Sequence, residues 1–108
     1  MNCNIELTPN FKKEAKRLKK KYPSLNSDLE ILIDELSENP QMGTPLGNGV
    51  YKVRMAIASK GQGKSGGARI ISYAKLSDEL VLLLSIYDKS EKENLSDKDI
   101  QKLLKDNT

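Results

Sequence analysis

Val50 to Tyr73 reads VYKVRMAIASKGQGKSGGARIISY, and the fold follows from it. Polar and apolar residues alternate at both ends, the period of a β-strand, while the middle is rich in glycine. The stretch predicts strands over Gly49 to Ala56 and Ala68 to Ala74, joined by a loop at Lys60 to Gly67. All seven glycines fall between Gly43 and Gly67, so flexible backbone is confined to the centre of the chain. After a turn at Leu76 to Glu79, Leu80 to Tyr87 (LVLLLSIY) is almost continuously apolar, as expected of a central strand covered on most of both faces. Three consecutive strands with short connections predict an antiparallel meander.

Helices flank this centre. Cys3 to Leu7 alternates weakly and could form a short first strand. Thr8 then offers an N-cap and Pro9 suits the first helical position. Phe11, Ala15, Leu18 and Tyr22 make one apolar stripe, with lysines and Arg17 on the remaining sides. Pro23 ends that helix. A second starts near Ser24 or Ser27, where Ser27-Asp28-Leu29-Glu30 resembles a capping box; it buries Leu25, Leu29, Leu32, Ile33 and Leu36 and ends at Asn39-Pro40. A basic and an acidic helix joined so closely predict an antiparallel hairpin with opposite charges along its seam. Ser96 caps a last short helix whose apolar side is Ile100, Leu103 and Leu104. The fold class is therefore α+β, a helical hairpin packed on a meander sheet with a short C-terminal helix, in one domain over residues 1–108.

With 18 Lys and Arg against 15 Asp and Glu, the net charge is only +3, yet it is unevenly spread. From Asn48 to Ser77 there are six cations, Lys52, Arg54, Lys60, Lys64, Arg69 and Lys75, and no Asp or Glu. Such a surface attracts a polyanion, with nucleic acid the first candidate. No apolar run approaches a membrane span and the N-terminus lacks a signal-peptide pattern, so no membrane partner and a cytoplasmic location are expected. Cys3 is the only cysteine and cannot form an internal disulfide.

Strand alternation sorts the central residues by face. If the helices cover the side bearing Val53, Ile70 and Leu84, the open side shows Lys52, Arg54, Arg69, Tyr73, Ser85 and Tyr87, with Lys89 just past the strand end. Cations interleaved with aromatic rings suit phosphate clamping and base stacking. The competing reading is a solvated sheet face on which Lys stems pack against Tyr rings. Gly63-Lys64-Ser65 invites comparison with a phosphate-binding P-loop, but that pattern needs glycine where the chain has Ala58, and a helix where a strand is expected. Lys60 and Lys64 of this loop could still touch phosphate, or the loop could be an idle hairpin tip. The chain has 0 His, so proton transfer would fall to Lys, Tyr, Asp or Glu. Arginine stays protonated and would hold charge on a phosphate.

The segments LTPNFKKEAKRLKKKYPSL, GTPLGNGVYKVRM, KGQGKSGGARIISY and SIYDKSEKENLS together resemble the RelE/HigB branch of the RelE/ParE toxin superfamily, over nearly the whole chain. The resemblance implies a small α+β fold, a cognate antitoxin encoded alongside, and ribosome-dependent cleavage of messenger RNA by attack of a 2′-hydroxyl on the adjacent phosphate. It needs neither metal nor small-molecule cofactor. By position it implies catalytic roles for Lys52, Arg54, Arg69 and Lys89. The family pattern has a tyrosine near Leu95, so a tyrosine role would move to Tyr87 or Tyr73. Lys60, Lys64, Tyr73 and Lys92 are expected at the substrate. Alternatives are a ParE-like inhibitor of DNA gyrase and a non-enzymatic nucleic-acid-binding module.

Overall fold

A computed structural model describes residues 2–92 and 94–108. Its elements run β1 (Asn4–Leu7), α1 (Pro9–Lys21), α2 (Leu25–Glu38), β2 (Thr44–Gly47), β3 (Val50–Met55), a one-turn helix α3 (Gly63–Gly66), β4 (Ala68–Lys75), β5 (Leu80–Asp88) and α4 (Asp97–Asn107). The five strands lie in the order β1-β5-β4-β3-β2. Strands β3, β4 and β5 form the expected antiparallel meander. Two edge strands extend it. β1 pairs parallel to the first half of β5, which makes the sheet mixed. β2 forms a hairpin with β3, turned by Asn48 (φ 54°) and Gly49 (φ 81°). Positive φ at both central residues is the turn geometry for which Asn-Gly is best suited.

Thr8 caps α1 as expected, its Oγ1 accepting from the Phe11 N–H at 3.3 Å. α2 begins at Leu25 with Ser24 as its cap residue, so Ser27 lies inside the first turn and forms no capping box. The charged seam expected between α1 and α2 is also absent: among the described residues, the α1 cations Arg17 and Lys21 pair with Glu91 and Asp88. Leu18, Leu25, Leu29, Leu32 and Leu36 are buried in one apolar cluster, which leaves the cations of α1 and most acids of α2 directed outward, while Glu14 and Asp28 turn inward.

That cluster covers one face of the sheet through Val53, Ile70, Leu83 and Ile86. A second cluster, Val50, Ile71, Leu82, Leu84, Tyr87 and Ile100, lies on the other face. Its cover is α4, whose Leu103 and Leu104 also pack against it. The face expected to be open is therefore half closed. Leu84 belongs to this second cluster because a bulge shifts the register between Ile71 and Ser72, so that Ile71 opposes Ser85 while Ser72 opposes Leu83; one extra residue reverses the alternation from there.

β1 ends early, leaving the second half of β5 with a bare edge. Side chains of α1 complete it. Asn10 Nδ2 donates to the Leu84 carbonyl at 2.9 Å, and Glu14 Oε1 accepts from Ser85 Oγ at 2.7 Å and from the Ile86 N–H at 3.3 Å. Ser85 is thus 1% exposed and committed to α1, not displayed to a ligand.

Candidate active site

The period of β3 carries Val50, Lys52 and Arg54 onto the α4 side of the sheet. Val50 is covered by the second cluster. Beyond the reach of that cover the same side turns cationic, because Arg54 stands directly opposite Arg69, which in turn stands opposite Tyr87. A cleft of about 290 Å³ opens here, lined by Thr44, Lys52, Arg54, Arg69, Lys89 and Asn94. Among the described residues, no carboxylate lines it. Like charges placed directly across two strands destabilise a sheet, so this arrangement carries a stability cost that packing does not require.

The four cations differ in freedom. Arg54 is exposed and Lys52 half-buried, with Lys52 Nζ donating to Asn94 Oδ1 at 2.9 Å. Lys89 is exposed, and its N–H donates to the Gly67 carbonyl at 3.1 Å, which seats it at the cleft wall. Arg69 is 4% exposed. Its Nη1 donates to the carbonyls of Lys64 (3.0 Å) and Ala68 (3.1 Å), and Nη2 donates to that of Ser65 (3.1 Å). Burial, and then the neighbouring Arg54, draw its pKa below the ordinary arginine value while Tyr87 opposes them. Arg69 therefore organises the 63–66 turn from beneath and adds positive potential to the cleft floor.

Gly67 makes that turn possible. A Cβ at this position would collide with the Met55 carbonyl, so only glycine lets the returning chain pass this close to β3. The segment expected to be a loose tip is instead built from a short helical turn at Ala58–Lys60 and α3.

Tyr87 is 3% exposed. Burial pushes its pKa up, against the opposing pull of Arg69. The remaining expected contacts scatter. Tyr73 is half-buried in the α4-side cluster and sits four residues along β4 from Arg69, roughly 13 Å at strand spacing. Lys92 lines a different cavity, between α1 and α4. Lys64 lines a shallow hollow with Asp28 and Glu35 of α2.

Lys60 is the clearest displacement. Its Nζ donates to Asp88 Oδ1 at 2.7 Å, with a side chain only 10% exposed. Asp88 is fully buried and accepts from Ser90 N–H (2.9 Å) and Ser90 Oγ (2.7 Å), from the Tyr22 hydroxyl, and lies 3.6 Å from Lys21 Nζ. Burial alone would raise its pKa. The hydrogen bonds from Lys60, Tyr22 and Ser90 outweigh that and hold the carboxyl well below the usual carboxylate range. The signal for this centre was a lone acid closing the apolar run LVLLLSIYD. Thr44 and Asn94 carried no comparable signal.

Residues 8–107 match the family model described as RelE toxin of RelE / RelB toxin-antitoxin system. Three solved structures resemble the fold. An arginine-to-alanine double mutant of the Escherichia coli toxin RelE in the free state superposes with TM-score 0.62 at 17% identity, over 86% of this chain and 90% of that one. The toxin-antitoxin complex RelBE2 from Mycobacterium tuberculosis gives 0.61 at 16%, over 82% and 92%. The isolated E. coli RelE toxin gives 0.61 at 14%, over 97% and 98%. With the match running from the α1 cap through α4, the chain belongs to the RelE family of toxins from toxin-antitoxin systems.

Proposed function

We propose that this protein is a metal-independent endoribonuclease that cuts messenger RNA on the ribosome and is neutralised by a cognate antitoxin. The observation that carries this reading is the convergence of Lys52, Arg54, Arg69 and Lys89 on one cleft whose described lining residues include no carboxylate. Four cations gathered in this way suit a group that gains negative charge as it reacts. In RNA the 2′-oxygen attacks the adjacent phosphorus while the bond to the 5′-oxygen breaks, leaving a 2′,3′-cyclic phosphate and a 5′-hydroxyl. Arg54 and Lys89 contact the phosphate oxygens, and Arg69 supports them from below. Lys52 or a tyrosine takes part in moving the proton, since the arginines cannot. A metal-bound nucleophile is not required, because the nucleophile is internal to the substrate.

The test maps message ends on translating ribosomes supplied with the protein or with its Lys52→Ala/Arg54→Ala variant. Both positions sit on the cleft surface, so the variant folds. New ends with the protein and none with the variant support the reading. Intact messages alongside growth arrest and DNA damage would overturn it in favour of gyrase inhibition.

A further inference from the structure

We propose that Asp88 is a positioning residue for the cationic cleft, acting through the backbone turn that carries Lys89; this deepens, and rests on, the RNA-cleaving reading above. Asp88 cannot touch RNA itself. It is fully buried, and its partners Lys21, Tyr22 and Lys60 stand apart from the cleft lining. Taking a carboxylate out of water is costly, and apolar residues of similar volume often serve stability as well as a buried ion pair does, or better. A buried acid at the end of an apolar strand therefore calls for a role besides stability, and its hydrogen bonds point to one.

Those bonds run into the turn that follows. Asp88 Oδ1 accepts from the Ser90 N–H at 2.9 Å and from Ser90 Oγ at 2.7 Å. Its backbone carbonyl accepts from the N–H groups of Glu91 (3.0 Å) and Lys92 (3.1 Å). An Asp carboxylate that bonds the N–H two residues on fixes a tight turn locally, and Lys89 is the residue enclosed. Its own N–H is held by the Gly67 carbonyl, which leaves movement to its exposed side chain. The same Oδ1 receives Lys60 Nζ at 2.7 Å. Lys60 comes from a turn anchored on α2, where the Ala58 N–H donates to Asp28 Oδ2 (3.1 Å) and the Ser59 N–H to Ser24 Oγ (2.8 Å). Asp88 thus sets the Lys89 backbone against the helical layer. A lysine on a loose loop would lose backbone freedom on closing over a reacting phosphate, and a backbone already ordered removes that part of the cost.

The experiment measures single-turnover cleavage on translating ribosomes with the full chain, Asp88→Asn, Ser90→Gly and Lys89→Ala, and with Lys89→Ala combined with each of the other two. Thermal melting checks that each variant is folded. Asp88→Asn keeps the side-chain shape and removes its charge. Ser90→Gly loosens the turn at an exposed position and decides alone if Asp88→Asn does not fold. The expected result is a rate lower by up to about a hundredfold for Asp88→Asn, the scale of a small misplacement at a reacting centre, with a smaller loss for Ser90→Gly. In the Lys89→Ala background either change should alter the rate by less than about twofold, because residues that act as one unit are not additive. Rates left intact by both changes, or losses that multiply with that of Lys89→Ala, overturn the proposal and leave the cleavage reading standing. Absence of cleavage by the protein itself would sink the cleavage reading. In that case, or if Lys89→Ala leaves no measurable rate, the same set of variants is compared by anisotropy with a 2′-O-methyl RNA oligonucleotide. Weaker binding by Ser90→Gly that disappears in the Lys89→Ala background supports the proposal; additive losses, or affinities that are equal or undetectable throughout, overturn it.

Discussion

Two charged centres stand back to back at the end of β5. On the helix side, Asp88 is fully buried and surrounded by Lys60, Lys21, Tyr22 and Ser90. On the other side, Lys52, Arg54, Arg69 and Lys89 share a cleft that, among the described residues, no carboxylate lines. Asp88 and Lys89 are neighbours in sequence, so the strand end turns one charge inward and the next outward. The inward charge is matched within the molecule and ties α1 and the Ala58–Lys60 turn to the sheet. The outward charges meet no carboxylate among the described residues of the cleft, and their energy is available to a ligand.

The largest effect should come from breaking the matched centre. Asp88→Ala leaves Lys60 buried without its partner, and removing one member of a buried pair costs about 3–5 kcal/mol. Denaturant unfolding should show a loss of this size, and a loss under 1 kcal/mol would mean that the centre is incidental to the fold. On the unmatched side, Arg54→Ala should lower cleavage by about 10²–10³-fold, the usual cost of removing one transition-state donor. Stability should change by no more than about 0.5 kcal/mol, because Arg54 is exposed. Single-turnover cleavage together with melting separates the two centres.

Acid sharpens the same contrast. The folded state holds the Asp88 carboxyl below its ordinary value, so the unfolded chain takes up that proton first. The stabilisation is complete above about pH 4, the value of an unperturbed Asp, and is lost as pH falls further. The unfolding free energy measured between pH 5 and pH 2 should fall steeply for the protein and less so for Asp88→Asn. Parallel curves would assign the acid sensitivity to other carboxylates.

The contrast also explains what could be read from the sequence. Period-2 alternation placed Lys52, Arg54 and Arg69 on one side of the sheet without any knowledge of their partners, and the apolar stripes placed α1, α2 and α4. Pairing across long separations was not readable. Lys60 and Asp88 are 28 residues apart, and nothing local distinguishes a lysine committed to a buried acid from one facing solvent. The depth of Arg69 was hidden similarly, since it depends on the 63–66 turn folding over the strand. The bulge at Ile71/Ser72 moved Leu84 across the sheet, and alternation fails wherever one residue is added to a strand. The β2–β3 hairpin was not expected: Asn48-Gly49 is a local turn signal, but the weak apolar content of Thr44–Gly47 hid the strand before it.

The smallest expected effect is the most specific to the unmatched centre. Arg54 faces Arg69 directly across β3 and β4, and a like-charged pair in that position costs some tenths of a kcal/mol, up to about 1 kcal/mol. Solvent screens part of it, because Arg54 is exposed. Replacing Arg54 by Met keeps the length and apolar stem of the side chain and removes only its charge. If the cleft holds its cations for a ligand at the expense of the fold, Arg54→Met should raise stability by about 0.5 kcal/mol while abolishing cleavage. The gain should shrink as salt is raised, because screening weakens the repulsion being relieved. Unfolding at low and high salt decides it: a destabilised variant, or a gain indifferent to salt, would show that Arg54 contributes to the fold by packing and that the two centres are less distinct than their charges suggest.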